Sequence, residues 1–284
     1  LRRIAEFSIA APPLLAEHIS MDGFSIWNPA EIETGRCVSW KLGKLSLWAE
    51  RYEREWHVLP VYAEEELVPS FDGDAKKDKP VSSEWRHYVL REGGWAVPRP
   101  AMPDRAVILR PDRILVLLPG ERACFFLPLP LWFRLMIGPA PESGKTLIEL
   151  PIEPQPNAWF GDPISGELCY FSSSRLYPDV SAIPPSPFNA VCPLQISNES
   201  DKELSFDRIC LHTEFLGVYH GESRFWTNEV NVVVRGADQA TQIQPAKGPP
   251  DLDGVCRTLA PPRQVAENWY FKRTFDRLKY FTGF

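Results

Sequence analysis

The 29 prolines scattered through this 284-residue chain constrain its fold more than any other feature. Proline has no backbone N–H and breaks helices, so a proline about every ten residues confines the chain to short strands and turns. The remaining composition agrees. The hydrophobic share is 44% and the charged share 24%, ordinary values for a protein that buries a core. At this length two domains are the natural expectation, and three compact β units are allowed.

The formal charge of −6 comes from 31 basic and 37 acidic residues, so the chain lacks the cationic field that holds a nucleic-acid backbone. No apolar run is long enough for a transmembrane helix, since the longest, Ala123 to Gly138, is cut by Pro128, Pro130 and Arg134. The six cysteines form no C-x-x-C pair, so they read as buried thiols of a reducing compartment, and the expected location is cytoplasmic. Asn198-Glu199-Ser200 fits a glycosylation sequon, a triplet common by chance.

Alternation of apolar and polar residues over 23–62 predicts a β-meander with a turn at Gly43-Lys44, followed by a polar loop over 64–84. Proline-rich stretches at Pro98–Pro103 and Ile183–Pro187 suggest boundaries. They divide the chain into an N-terminal β domain (1–100), a central β-sandwich (101–185) and a C-terminal β unit (186–284). Seven short apolar runs between Ala106 and Phe171 match a small immunoglobulin-like sandwich in number and spacing. Residues 263–282 contain no further proline or glycine after Pro261-Pro262 and predict a C-terminal helix. The expected fold is thus mainly β: two or three antiparallel sandwiches with one terminal α-helix.

The Gly138–Thr146 segment imitates a phosphate-binding loop but fails chemically. Pro139 occupies the position of the required glycine, and Pro139 and Pro141 offer no N–H to a phosphate. Ser165 lies in no nucleophile elbow, because Pro163 replaces the first glycine. His212, Glu214 and His220 carry ligand types for a metal, with His212 and Glu214 on one strand face and His220 separated from them by Gly217. His57 and His87 fall on separate strands and read as polar surface residues.

The most distinctive stretch is Trp159–Tyr170, a hairpin whose loop runs from Gly161 to Gly166. Trp159, Phe160, Gly161, Asp162, Glu167 and Tyr170 make it the candidate recognition surface, and Asp162 with Glu167 is a candidate acid–base pair. The terminal segment is basic and aromatic, which suits a cap on the β core or a membrane interface.

Asn157–Pro163, continuing through Ser165–Tyr170, resembles the central motif of the domain-of-unknown-function family number 432. The Pro119–Glu121 turn leading to Pro130–Trp132, and Leu204–Leu211, are similar to it too. The likeness covers most of residues 20–235. It implies a prokaryotic, intracellular setting and supplies no catalytic residue. The expected function is a non-catalytic module that binds a protein partner, without a cofactor and with homodimerisation open. A hydrolase or metal-dependent enzyme using Asp162 and Glu167, or His212, Glu214 and His220, is one alternative. Peripheral membrane attachment through 263–282 is the other.

Overall fold

The computed structural model describes residues 22–90, 93–161, 163, 164, 166–236, 241–252, 254, 257–265, 270 and 271. Strand dominates them. Among the described residues, regular helix is limited to one turn at Asp22–Ser25 and three short 3-10 turns, and none is long and apolar enough to cross a membrane. The first turn stands where the meander was expected to begin.

The N-terminal sheet is a long antiparallel pair, Cys37–Arg51 with Glu55–Asp72, extended by Arg86–Val89. Gly43 does not turn the chain. It lies inside one 15-residue strand, at a register irregularity with φ +54°, so it is a bulge. A side chain there would also press on Ile152, whose Cγ2 stands 2.7 Å from the would-be Cβ. The expected polar loop is likewise strand as far as Asp72, because Ser39–Lys41 pair with Ser70–Asp72. Beyond it, Lys79 reaches back to the carboxylate of Glu50 and lies over the Trp85 ring.

All seven apolar runs between Ala106 and Phe171 are strands, but they enter four sheets instead of closing one sandwich. Trp132–Gly138 and Lys145–Pro151 pair antiparallel, so the imitation phosphate loop is a hairpin turn. These two strands continue a sheet with Trp95–Ala101 and Ala30–Glu31. Pro98 and Pro100 are tolerated there because Ala30–Glu31 pairs only with Trp95 and Ala96, leaving the proline stretch at an edge. That strand spans the expected boundary at 100/101.

The central strand of the largest sheet is Asn189–Asn198. It pairs antiparallel with Arg122–Pro130 over nine residues, joining segments on either side of the expected boundary at 185/186. Its other edge pairs in parallel with Phe225–Trp226 and then Val230–Val234. Parallel pairing recurs between Glu167–Ser172 and Val107–Leu109, so the sheets are not the purely antiparallel ones expected. Parallel neighbours need crossover connections, and local alternation carries no information about those. One large buried cluster runs from Ile26 to Ala260 and includes Trp40, Phe133, Leu194 and Phe225.

Tyr270–Phe271 form a short strand against Gln242–Ile243, where a helix was expected. Apart from these two residues and Arg263–Val265, the expected helix lies outside the described residues. Arg263 pins the start of this segment to the core, pairing with Glu149 and donating to the Met102 carbonyl. The sequon asparagine, Asn198, is buried. Its amide donates to the Leu117 and Lys202 carbonyls at 2.9 and 2.8 Å, so in the folded chain it is a structural clamp.

Candidate functional site

Glu167–Ser172, Val107–Leu109 and Ile209–Leu211 are consecutive neighbours in one sheet, with Asn157–Phe160 outside Glu167–Ser172. Alternate residues of a strand share a face. Glu167 and Cys169 therefore point one way, as do Cys210 and His212, and the sheet brings the two pairs together across Val107–Leu109. Glu214 follows on the 3-10 turn Thr213–Phe215. Thr213 anchors that turn by donating to the Arg105 carbonyl at 2.7 Å.

The distances are short. His212 Nε2 lies 3.5 Å from Glu167 Oε1, and His212 Nδ1 lies 3.5 Å from Glu214 Oε1. Cys210 Sγ is 4.0 Å from Glu167 Oε1 and 3.7 Å from Cys169 Sγ. The ligand atoms of Glu167, Cys210 and His212 all fall within 4.8 Å of one another. The His212 side chain is wholly buried, whereas that of Glu167 is 37% exposed, so the cluster meets solvent along the glutamate. The adjacent Cys169 thiol, burial and then the Glu167 and Glu214 carboxylates hold the Cys210 thiol well above its usual range.

The sequence-predicted residues divide. Glu167, His212 and Glu214, expected in two separate sites, belong to one. His220 does not join them; it packs against Phe24 and Phe225. Asp162 lies outside the described residues, as does Ser165. Phe160 is buried beside Cys169 and Cys210 in a small satellite core. Gly161 takes φ +94° at the start of the loop. Tyr170 donates to Asp104 at 2.9 Å and packs on Trp132, and its hydroxyl is pushed up to about 12 by burial and by that carboxylate. Trp159 faces outward opposite Leu168; they are 49% and 47% exposed, and Ile164 in the loop is 98% exposed. Cys169 and Cys210 were missed. Their signal was the i, i+2 spacing from Glu167 and His212, which a search for C-x-x-C passes over.

A second group sits on the N-terminal sheet. His57 and His87 are directly opposite across two strands with rings 3.7 Å apart, and His57 Nε2 is 2.9 Å from Glu55 Oε2. The rings stack nearly parallel, at 20°, and His87 is exposed. Imidazole lone pairs lie in the ring plane, so face-to-face rings do not aim them at a common point.

Fold and site together define a mainly β protein carrying a buried thiol–imidazole–carboxylate cluster at the foot of an exposed hairpin. The chain belongs to the family described as "Protein of unknown function (DUF432)", which matches residues 26–279 and bears out the likeness read from the Trp159–Tyr170 block. No curated protein and no solved structure matches it.

Proposed function

We propose that this chain is a recognition module whose binding hairpin, residues 157–172, is clamped to the core by a zinc-class metal ion. Glu167, Cys210 and His212 are the ligands, and Cys169, 3.7 Å from Cys210 but outside the set that converges within 4.8 Å, swings in as the fourth. The convergence of the cluster carries this reading. Tetrahedral zinc with ordinary bond lengths places two thiolates about 3.8 Å apart, nitrogen and carboxylate oxygen about 3.4 Å apart, and sulfur and oxygen about 3.6 Å apart. The corresponding separations here are 3.7, 3.5 and 4.0 Å. Glu214 supports the same reading. A metal-bound histidine commonly gives its other ring N–H to a carboxylate, and Glu214 stands on that side of His212.

A disulfide explains the two sulfurs less well. Their strands are separated by Val107–Leu109, hence by two strand spacings, about 9.6 Å. A disulfide needs Cα atoms within about 7 Å. A metal centre spans the wider gap. The face presented to a protein partner is the Trp159–Leu168 pair with Ile164, a set of apolar side chains in solvent that the core does not use.

Cobalt titration of the metal-free chain tests the centre. Tetrahedral d–d bands with thiolate-to-metal charge transfer are expected at one ion per chain. Cys210→Ser should halve the charge transfer and weaken binding by about 100-fold, and Glu214→Gln should weaken it by about 10-fold. His220→Ala should change nothing. Cys169→Ser decides the fourth position: halved charge transfer keeps the clamp. Unchanged binding opens that position to water, the arrangement of hydrolytic zinc sites, and favours the enzyme reading. A chain that shows no thiolate charge transfer has no such centre.

The clamp also predicts a loosened hairpin on chelation. Amide exchange at Trp159–Tyr170 should accelerate by about 10-fold or more, while exchange in the distant Cys37–Arg51 strand stays unchanged. Equal exchange with and without metal would separate any bound ion from the hairpin.

A further inference from the structure

A cavity of about 510 Å³ shares no residue with the Glu167–His212 cluster: its lining includes Arg99, Arg257 and Glu142, with Phe24, His220 and Phe225 as aromatic walls. Its volume is in the range that small-molecule sites occupy. The sheets assemble it from distant parts of the chain. Arg99 comes from Trp95–Ala101, Arg257 from Arg257–Ala260, and His220 sits directly across from both Arg257 and Phe225 in its own sheet.

The charge arrangement is unbalanced. Two guanidiniums face one space with Glu142 as the single carboxylate in the lining, and among the described residues neither arginine forms an ion pair. Arg99 is half-buried and spends one hydrogen bond on the Pro141 carbonyl, at 3.4 Å. Burial, and then the charge of Arg257, depress its basicity. In a chain of net charge −6, a local excess of positive charge held in a concave site raises the local concentration of anions. Guanidinium is the group best matched to phosphate or carboxylate, through paired N–H donors. The walls add a second selectivity. Phe24 and Phe225 meet edge to face at 4.9 Å, and the His220 ring lies 5.0 Å from Phe24, leaving an aromatic surface beside the cations.

We propose that this cavity binds a small anion joined to a planar ring, of mononucleotide size, with Arg99 and Arg257 on the anion and the Phe24–His220–Phe225 wall against the ring. This site is independent of the metal centre. The test is calorimetric titration of the full chain with adenosine 5′-monophosphate as probe, with adenosine and inorganic phosphate in parallel. Saturable binding of the monophosphate is expected, about 10-fold or more tighter than either half. Arg257→Gln, an exposed position that should leave the thermal midpoint unchanged, should weaken it by about 10-fold, as should Arg99→Gln. Three results overturn the proposal: no saturation at millimolar monophosphate, equal binding by the Arg257→Gln chain, or phosphate alone binding as tightly as the monophosphate.

Discussion

Asn228→Ala is expected to lower the stability of this protein by about 3 kcal/mol, read as a shift of the urea midpoint at unchanged slope. Asn228 is 5% exposed, and its side chain is a junction. Its Oδ1 accepts from the Gly217 N–H at 2.8 Å, and its Nδ2 donates to the Ala246 carbonyl at 2.8 Å, the Gly248 carbonyl at 3.2 Å and the Tyr219 hydroxyl at 3.2 Å. One amide thus holds the turn after Thr213–Phe215, the Val218–His220 strand and the 246–248 segment together. Alanine removes donor and acceptor at once and leaves the buried Gly217 N–H and the part-buried Ala246 carbonyl without their partner. Each such loss costs about 1–3 kcal/mol, because the group gave up water to reach its place. Asn228→Asp keeps the acceptor for Gly217 and loses the donors, so it should fall between wild type and alanine at low pH, where the carboxyl can donate. Equal stability of the alanine variant and wild type would mean that water enters and replaces the amide.

The features legible in the sequence were those that local chemistry imposes. Proline density and period-two alternation identify a β protein, and each of the seven apolar runs from Ala106 to Phe171 is a strand. Pro139 correctly excluded a phosphate loop, since the missing N–H is a property of one residue. Partner choice is different. Nothing in Asn189–Asn198 announces that Val230–Val234 will lie parallel to it, or that Pro98 and Pro100 will sit in a strand whose second edge is free. Gly43 read as a turn because a glycine of positive φ serves turns and bulges alike; only the cross-strand register separates them. Glu64–Glu66 read as loop because charge suggests solvent, yet a strand with an open face accommodates charge as readily.

The candidate site follows the same division. Glu167, His212 and Glu214 carry conspicuous chemistry and could be named one at a time. Their meeting could not be read, because Val107–Leu109 lies between their strands and its pairing with both is non-local. Cys169 and Cys210 carried their information in spacing relative to Glu167 and His212, which becomes meaningful once those strands are known to be neighbours.

The Glu50–Lys79 pair yields a second large effect, with a pH signature. The Glu50 side chain is 7% exposed and that of Lys79 31%. Burial pushes the Glu50 carboxyl up, but the hydrogen bonds from Lys79 and Tyr52 outweigh it, and its pKa is depressed. The hydrogen bond to Glu50 raises that of Lys79. A carboxyl depressed on folding contributes stability that is complete above its unfolded pKa, about 4.3, and is lost as pH falls through the lower folded value. The raised lysine contributes stability below its unfolded pKa, about 10.4, and loses it as pH climbs through the folded value. Lys79→Met strands the carboxylate, and burial is then opposed by the Tyr52 hydrogen bond without the lysine's. The expected loss at pH 7 is about 2–3 kcal/mol, less than for a fully buried pair because the lysine is partly in water. The penalty attaches to the ionised carboxylate, so the gap between variant and wild type should shrink as pH falls from the variant's Glu50 pKa, which lies above the wild-type one, down through the depressed wild-type value. Urea melts of both chains from pH 7 downward measure it. A gap that stays constant over that range would assign the loss to other contacts of Lys79, such as its Nζ over the Trp85 ring at 4.7 Å from the ring centre, and not to the pairing with Glu50.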